Sequence, residues 1–187
     1  MPLKTAKLLT LGHSSELDGT RLIATLHPNF KQRYSYAFHR PRLSQPLLAD
    51  VLVCGSPVYV HYPSASLCAF MERLIFPVVD YSDFMHPIVL KPKFSATIYT
   101  MNCPHMQMYR RNGYDITMDV NAHSLGMLGP TEICYSFDTY QFNDYSRYDA
   151  AMIDAQHKEE MRDTQFPKEL ERAYELGKRL VNADNAG

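Results

Sequence analysis

The stretch DVLVCGSPVYVHYPSASLCAFMERLIFP, from Asp50 to Pro77, decides the fold. It begins with a largely apolar run, Asp50 to Cys54, which is typical of a strand buried on both faces of a parallel sheet. Gly55-Ser56-Pro57 then predicts the end of that strand, because Gly and Pro interrupt regular structure. From Ser64 to Ile75 the apolar residues recur at helical spacing, and Ser64 suits the N-cap. The stretch therefore predicts a strand, a loop and a helix.

The same alternation of strand and helix continues on both sides of this stretch. The predicted strands are Ala6 to Leu11, Arg33 to Phe38, Asp50 to Cys54, Phe94 to Met101, and Glu132 to Phe137. The predicted helices are Arg21 to Leu26, a short turn at Gln45 to Ala49, Ser64 to Ile75, Asp119 to Leu128, and a tail from His157 in which Glu169 to Arg179 is a solvated face. Such alternation favours parallel pairing and a doubly wound α/β sandwich of three layers. We expect one domain over residues 1–187, with a C-terminal helix over 157–187.

Composition excludes several classes of function. The formal net charge of -1 argues against a nucleic-acid binder, which needs a basic face. No apolar run reaches the roughly 18 residues of a membrane span. The N-terminal residues lack the apolar core and cleavage site of a signal peptide, so we expect a cytoplasmic protein. The four cysteines form no CxxC pair and the histidines no ligand spacing, so we expect buried free thiols and no metal site.

Three loops are expected at the carboxyl edge of the sheet, where ligands of such folds bind. They are Gly12 to Thr20, Gly55 to Ser64, and Asn102 to Tyr109. Taken alone, the first loop is better explained as an ordinary capped turn than as an anion site. In the second loop, Tyr59 and Tyr62 could lie near a planar ring or could form a subunit contact, and the residue types do not separate these alternatives.

Several blocks of the sequence resemble one family. ADVLVCGSPVYVHYPSASLCAFMERLIFP is similar to the second flavin loop of the flavodoxin-like NADPH-dependent FMN reductases. FSATIYTMN, GPTEICYSFDTYQFNDYSRY and FPKELERAYELGKRL resemble later parts of the same family, in the same order. The resemblance covers about three quarters of the chain, from Ala49 to Val181. It implies a flavodoxin-like sheet of five parallel strands in the order 2-1-3-4-5, with a second strand that is short or degraded.

The resemblance also implies a cofactor site and an activity. FMN would be reduced by NAD(P)H and would pass electrons to another flavin, a quinone or a small electrophile, with no side chain acting as a covalent catalyst. The implied flavin contacts are Ser56, Pro57, Val58, Tyr59, Thr100, Met101 and Asn102, with Ser14, Gly19 and Thr20 in the phosphate loop. Relatives are usually dimers or tetramers, so a homodimer or homotetramer is expected.

The chain departs from the family pattern at two places. The phosphate loop lacks the arginine and the Ser-Pro pair of the family, and Glu16 and Asp18 add negative charge where a phosphate would bind. An alternative function is therefore an interaction or oligomerisation module with weakened or lost FMN binding. Residues 27–49 contain no cysteine, whereas many relatives carry a cysteine-rich segment there, so no iron–sulfur cluster is expected. We regard residues 1–45 as the diverged part of the domain.

Overall fold

One sheet organises the chain. The computed structural model of the protein describes residues 7–10, 49–81, 93–142 and 144–186. Its strands are β1 (Lys7–Thr10), β2 (Val51–Tyr59), β3 (Tyr62–Pro63), β4 (Phe94–Thr100) and β5 (Thr131–Ser136). β1, β2, β4 and β5 are parallel neighbours in that order, and β3 pairs antiparallel with the end of β2.

Helices cover both faces of the sheet. They are α1 (Ala65–Ile75), α2 (Met106–Arg111), α3 (Asp115–Gly126), α4 (Ala155–Thr164) and α5 (Phe166–Ala186), with short 3-10 helices at Phe76–Val78 and Tyr145–Arg147. Leu67 of α1 and Leu125 of α3 share one buried cluster with Leu52 of β2. Leu176 of α5 packs in a second cluster with Val51 of β2. Because successive strand residues point to opposite faces, Val51 and Leu52 join different clusters and the sheet lies between two helical layers.

The order of the parallel strands agrees with the prediction. The first, third, fourth and fifth predicted strands correspond to β1, β2, β4 and β5, and they are neighbours as the order 2-1-3-4-5 requires. This α/β architecture is consistent with a flavodoxin-like fold. The predicted second strand, Arg33 to Phe38, lies outside the described residues, as do the helix Arg21 to Leu26 and all but the last residue of the turn at Gln45 to Ala49.

The predicted end of the central strand was wrong. β2 does not stop at Gly55-Ser56-Pro57 but continues to Tyr59, because β4 runs beside it as far as Pro57, the partner of Thr100, and β3 pairs with its last two residues. A proline fits within a strand where its missing N–H would point away from the paired neighbour. The segment predicted as a loop thus begins as a strand, and β3 turns it into a hairpin.

Helix boundaries also differ from the prediction. α3 begins at Asp115 and ends at Gly126, and the predicted loop after β4 contains α2. The tail is two helices rather than one, with the break at Gln165. Pro167 explains the break, since a proline has no N–H to continue the hydrogen bonds of α4 but is well tolerated in a first helical turn.

The helices are also too short or too polar to enter a bilayer as spans. Within the described ranges, no helix combines the length and the apolar character needed to cross a membrane.

Candidate functional site

The sheet brings two predicted ligand loops together. Pro57 of β2 is the register partner of Thr100 of β4, and Thr100 is in turn the partner of Ser136 of β5. Neighbouring strands lie about 4.8 Å apart, so the segments after these residues start side by side at the carboxyl edge. This edge is the place where a doubly wound sheet binds its ligands.

Ser56 connects the end of β2 to the start of α1. Its buried hydroxyl accepts a hydrogen bond from the N–H of Ser64 at 2.9 Å and lies 3.0 Å from the Ser64 hydroxyl oxygen. Ser64 Oγ in turn accepts from the N–H of Leu67 at 3.3 Å, which makes it the N-cap that the sequence predicts. Ser56, a predicted flavin contact, is therefore already engaged inside the protein.

The hairpin between β2 and β3 has a strained tip. Val60 and His61 both have positive φ, 48° and 69°, which are the signs of a type I′ turn. That turn favours Asn-Gly, and a β-branched residue in the left-handed region costs of order 1–3 kcal/mol. The His61 ring stacks on Tyr114, with centroids 3.7 Å apart and planes at 12°. A strained turn that is held by such a contact, at the edge where sheets of this type bind ligands, is typical of functional sites.

The remaining predicted flavin contacts differ in accessibility. Tyr59 is 55% exposed at the hairpin, while Pro57 and Val58 are half-buried. Thr100 is half-buried and Asn102 is exposed. Met101 lies in the core, its N–H donates to Ser136 O and its carbonyl accepts from Thr139 N–H, each at 3.0 Å.

The phosphate loop falls outside the part of the chain that the structure describes. Ser14, Gly19 and Thr20 all belong to that loop, so their contacts with a phosphate stay predictions.

A buried ion cluster lies beyond β5 and was not foreseen from the sequence. Asp138, with a positive φ of 55°, contacts Lys158 Nζ through one carboxylate oxygen and His157 Nε2 through the other, the latter at 2.6 Å. Burial raises the pKa of Asp138, but hydrogen bonds from Lys158 and His157 outweigh this, so the pKa lies below its usual value. Lys158 also lies 3.5 Å from the carbonyl of Asn102 and so links the loops after β4 and β5.

A second buried carboxylate ties α5 to the edge strand. Glu169, 5% exposed, accepts from the Ser136 hydroxyl and, at 3.3 Å, from the Phe137 N–H, while Arg172 lies 3.2 Å away. The interpretation of Glu169 to Arg179 as a solvated face was therefore wrong at its first residue. The sequence contained a signal for the burial of Glu169, since this residue lies seven positions before the buried Leu176 on the same helical face.

A long cleft of about 780 Å³ lies along the outer side of β5. It runs between β5, α5 and the segment Pro104 to Met106. Arg179 pairs with Glu132 at 2.8 Å at one end of β5, while Glu169 holds the other end. The cleft therefore lies between a buried link from strand to helix at Glu169 and an exposed ion pair at Arg179.

Thiol chemistry at Cys54 and Cys134, and metal chemistry, have little support among the described residues. Burial raises the pKa of Cys54 to about 12 and also raises the pKa of Cys134, so neither is a thiolate near neutral pH. Within the described part of the chain, no group of three or more His, Cys, Asp or Glu side chains could hold a metal ion.

Comparisons with known proteins give fold-level similarity only. No protein-family model and no curated protein matches the chain. An azoreductase from Bacillus anthracis str. Sterne is similar in structure, with 16% identity and a TM-score of 0.44 over 78% of this chain and 60% of that one. An NAD(P)H:quinone oxidoreductase from Methanothermobacter marburgensis has 10% identity and a TM-score of 0.40 over 66% and 56%. The apo form of an NADH:FMN oxidoreductase has 15% identity and a TM-score of 0.37 over 86% and 65%.

The similar structures are longer proteins and only distantly alike. The chain spans about three fifths of the azoreductase and slightly less of the quinone oxidoreductase. The TM-scores are low, so these similarities do not determine the activity of this chain.

Proposed function

We propose that the protein is an FMN-dependent NAD(P)H oxidoreductase that passes electrons from a nicotinamide to another flavin, a quinone or a small electrophile. One observation carries this proposal. The two segments whose sequences resemble flavin-ring loops, Ser56 to Tyr59 and Thr100 to Asn102, begin side by side at one edge of the sheet, where Pro57 is the register partner of Thr100. The closeness of two segments that are far apart in the sequence supports a shared contact with a ligand at the carboxyl edge.

The residues at this edge fit a flat, partly apolar ring in some respects. Tyr59 and Tyr62 are exposed as the pair that flanks the hairpin turn, and aromatic faces of this kind stack on planar rings. Asn102 offers an exposed amide on the neighbouring loop. Ser56 and Met101 fit less well through their side chains, because one is bonded to Ser64 and the other is buried in the core.

The chain's own residues would bind and orient the cofactor rather than perform the electron transfer. FMN held at this edge would supply the chemistry of two-electron transfer between a nicotinamide and an acceptor. The stacked pair His61 and Tyr114 would hold the hairpin against one side of the ring. The backbone hydrogen bonds of Met101 with Ser136 and Thr139 would fix the loop after β4. Little conformational entropy would then be lost when the cofactor binds.

A second candidate is a flavodoxin-like module that has lost tight flavin binding. It is favoured by the engagement of Ser56 and Met101 within the protein and by the acidic residues Glu16 and Asp18 in the phosphate loop sequence. We also propose a homodimer or homotetramer, supported by exposed Ile116 and Val120 at i, i+4 spacing on α3. Light scattering on the purified protein tests the assembly, and a monomer at micromolar concentration would refute it.

Titration with FMN tests the cofactor proposal. Purified protein freed of cofactor should show saturable FMN binding at micromolar concentrations, measured by flavin fluorescence and visible absorbance. Tyr59→Ala should weaken binding about threefold to tenfold through the lost stacking. Tyr174→Ala is the control, because Tyr174 is a similarly exposed tyrosine on α5, far from the hairpin in sequence.

The same preparation allows a test of turnover. Protein loaded with FMN should oxidise NADPH or NADH in the presence of a small quinone. The rate measured with free FMN alone should be subtracted as background. An absence of saturable FMN binding would sink the oxidoreductase proposal and favour the module.

A further inference from the structure

A second, smaller cavity lies on the other side of Thr100 from the hairpin strand. Its volume is about 360 Å³, it is open to solvent on one side, and it is bordered by the end of β4, the segment after β5, and the junction of α4 with α5. Its lining residues include Thr100, Phe137, Asp138, Tyr140, Arg162 and Phe166. Thr100 is also a predicted flavin contact, whereas the aromatic residues and the arginine are not.

Aromatic side chains dominate the walls. Phe137 and Tyr140 come from the segment after β5, and Phe166 is the first residue of α5. Known small-molecule pockets have volumes of about 300–1,000 Å³ and are mostly apolar with a few polar groups that set the orientation. This cavity lies at the lower end of that range, which suits one ring or two fused rings.

The available charge in the cavity is positive. The exposed Arg162 guanidinium lies over the Tyr140 ring, 5.1 Å from its centroid, and this contact favours its position beside the cavity. Among the described residues, Arg162 forms no ion pair with a carboxylate. The carboxylate of Asp138 is already bonded to Lys158 and His157, so it does not neutralise Arg162.

From these observations we propose that the cavity binds a small planar aromatic carboxylic acid. The ring would lie against Phe137 and Phe166, and the carboxylate would accept hydrogen bonds from Arg162. An uncharged ring would fill the same space but would leave the guanidinium without an anion. An aliphatic acid would pair with Arg162 but would lose the stacking on the aromatic walls.

Calorimetric titration of the whole protein, without added FMN, provides the test. We expect 2-naphthoate to bind at one saturable site. The neutral 2-naphthamide should bind at least about tenfold more weakly, because a charged hydrogen bond is lost. Cyclohexanecarboxylate, which keeps the charge and lacks the aromatic ring, should also bind more weakly than 2-naphthoate.

Two variants locate the binding. Arg162→Gln should weaken 2-naphthoate at least about tenfold and should reduce the preference over 2-naphthamide. Arg147→Gln is the matched control, since Arg147 is exposed on a 3-10 helix and outside the cavity lining. The affinity of this variant for 2-naphthoate should equal that of the unmodified protein. Circular dichroism and thermal unfolding verify that both variants fold.

The outcomes separate this proposal from the flavin proposal. Failure of 2-naphthoate to bind, or equal binding to the Arg162→Gln variant, overturns the aromatic-acid site whatever FMN does. Weaker binding of 2-naphthoate to Arg162→Gln, with unchanged binding to Arg147→Gln, supports the site. This holds even if the titration with FMN shows no flavin binding.

Discussion

Ser56 at the carboxyl end of β2 holds the N-cap of α1 through Ser64, with the Ser64 N–H donating to Ser56 Oγ at 2.9 Å. The strand end and the helix start are thus fixed to each other across the hairpin that separates them in the sequence. Because the hairpin carries Tyr59 and the strained tip, this link also determines how the predicted flavin loop is presented.

We expect Ser56→Ala to lower the free energy of unfolding by about 1–3 kcal/mol, since it leaves the partly buried N–H of Ser64 without its acceptor. Urea denaturation monitored by circular dichroism measures the change. Ser66→Ala, at an exposed position of α1, is the control and should be neutral or slightly stabilising. If Ser66→Ala lowered the free energy of unfolding as much as Ser56→Ala does, this role of Ser56 would be contradicted.

Lys158 should be more important for stability than an exposed lysine. Lys158→Met leaves the Asp138 carboxylate buried with only His157 as its partner, and breaking a buried pair in this way costs about 3–5 kcal/mol. Lys168→Met, on the exposed surface of α5, should change the free energy of unfolding by less than about 0.5 kcal/mol. The double variant Lys158→Met/Asp138→Asn should recover part of the lost free energy of unfolding, because no charge is then left buried. Equal losses of unfolding free energy in the single and double variants would refute this explanation.

The pH dependence of stability should reveal the Asp138 carboxylate. Its pKa is lower in the folded state than in the unfolded chain, so its stabilising effect is present above the unfolded pKa and is lost as pH falls through the folded one. The difference in free energy of unfolding between the unmodified protein and Asp138→Asn should therefore shrink as pH is lowered from about 5 to about 2. Denaturation curves at several pH values measure it, and a difference that stays constant over this range would contradict the prediction.

Gly129 and Gly177 should respond in opposite directions to alanine. Gly129 has φ of 143°, and a Cβ there would lie 2.3 Å from the backbone oxygen of Lys93, so Gly129→Ala should cost more than about 2 kcal/mol. Gly177 lies inside α5 with nothing within 4 Å of a Cβ, so Gly177→Ala should stabilise by about 0.5–1 kcal/mol. Thermal unfolding of both variants gives the comparison, and a neutral Gly129→Ala would mean that the segment after α3 can shift.

Much of the fold was predictable because its signals are local. The apolar runs of β2, β4 and β5, and the cap at Ser64 with the periodic residues of α1, each lie within about a dozen neighbouring positions. The hairpin was harder to predict, because β2 continues past Pro57 only by pairing with β3, and β4 ends beside Pro57. Val60 and His61 gave no turn signal either, since residues with β-branched or ring side chains rarely occupy the left-handed region.

The sequence by itself determined the alternation of strands and helices, the order of the parallel strands that the structure describes, and the loops that would meet at the carboxyl edge. Only the tertiary structure decided that Ser56 is bonded to Ser64, that Asp138 and Lys158 are buried together, and that Arg162 faces an aromatic cavity. The physical reason lies in the range of the forces concerned. Hydrophobic periodicity can be read within one element, whereas the cost of burying a polar group depends on partners that the fold brings from elsewhere in the chain.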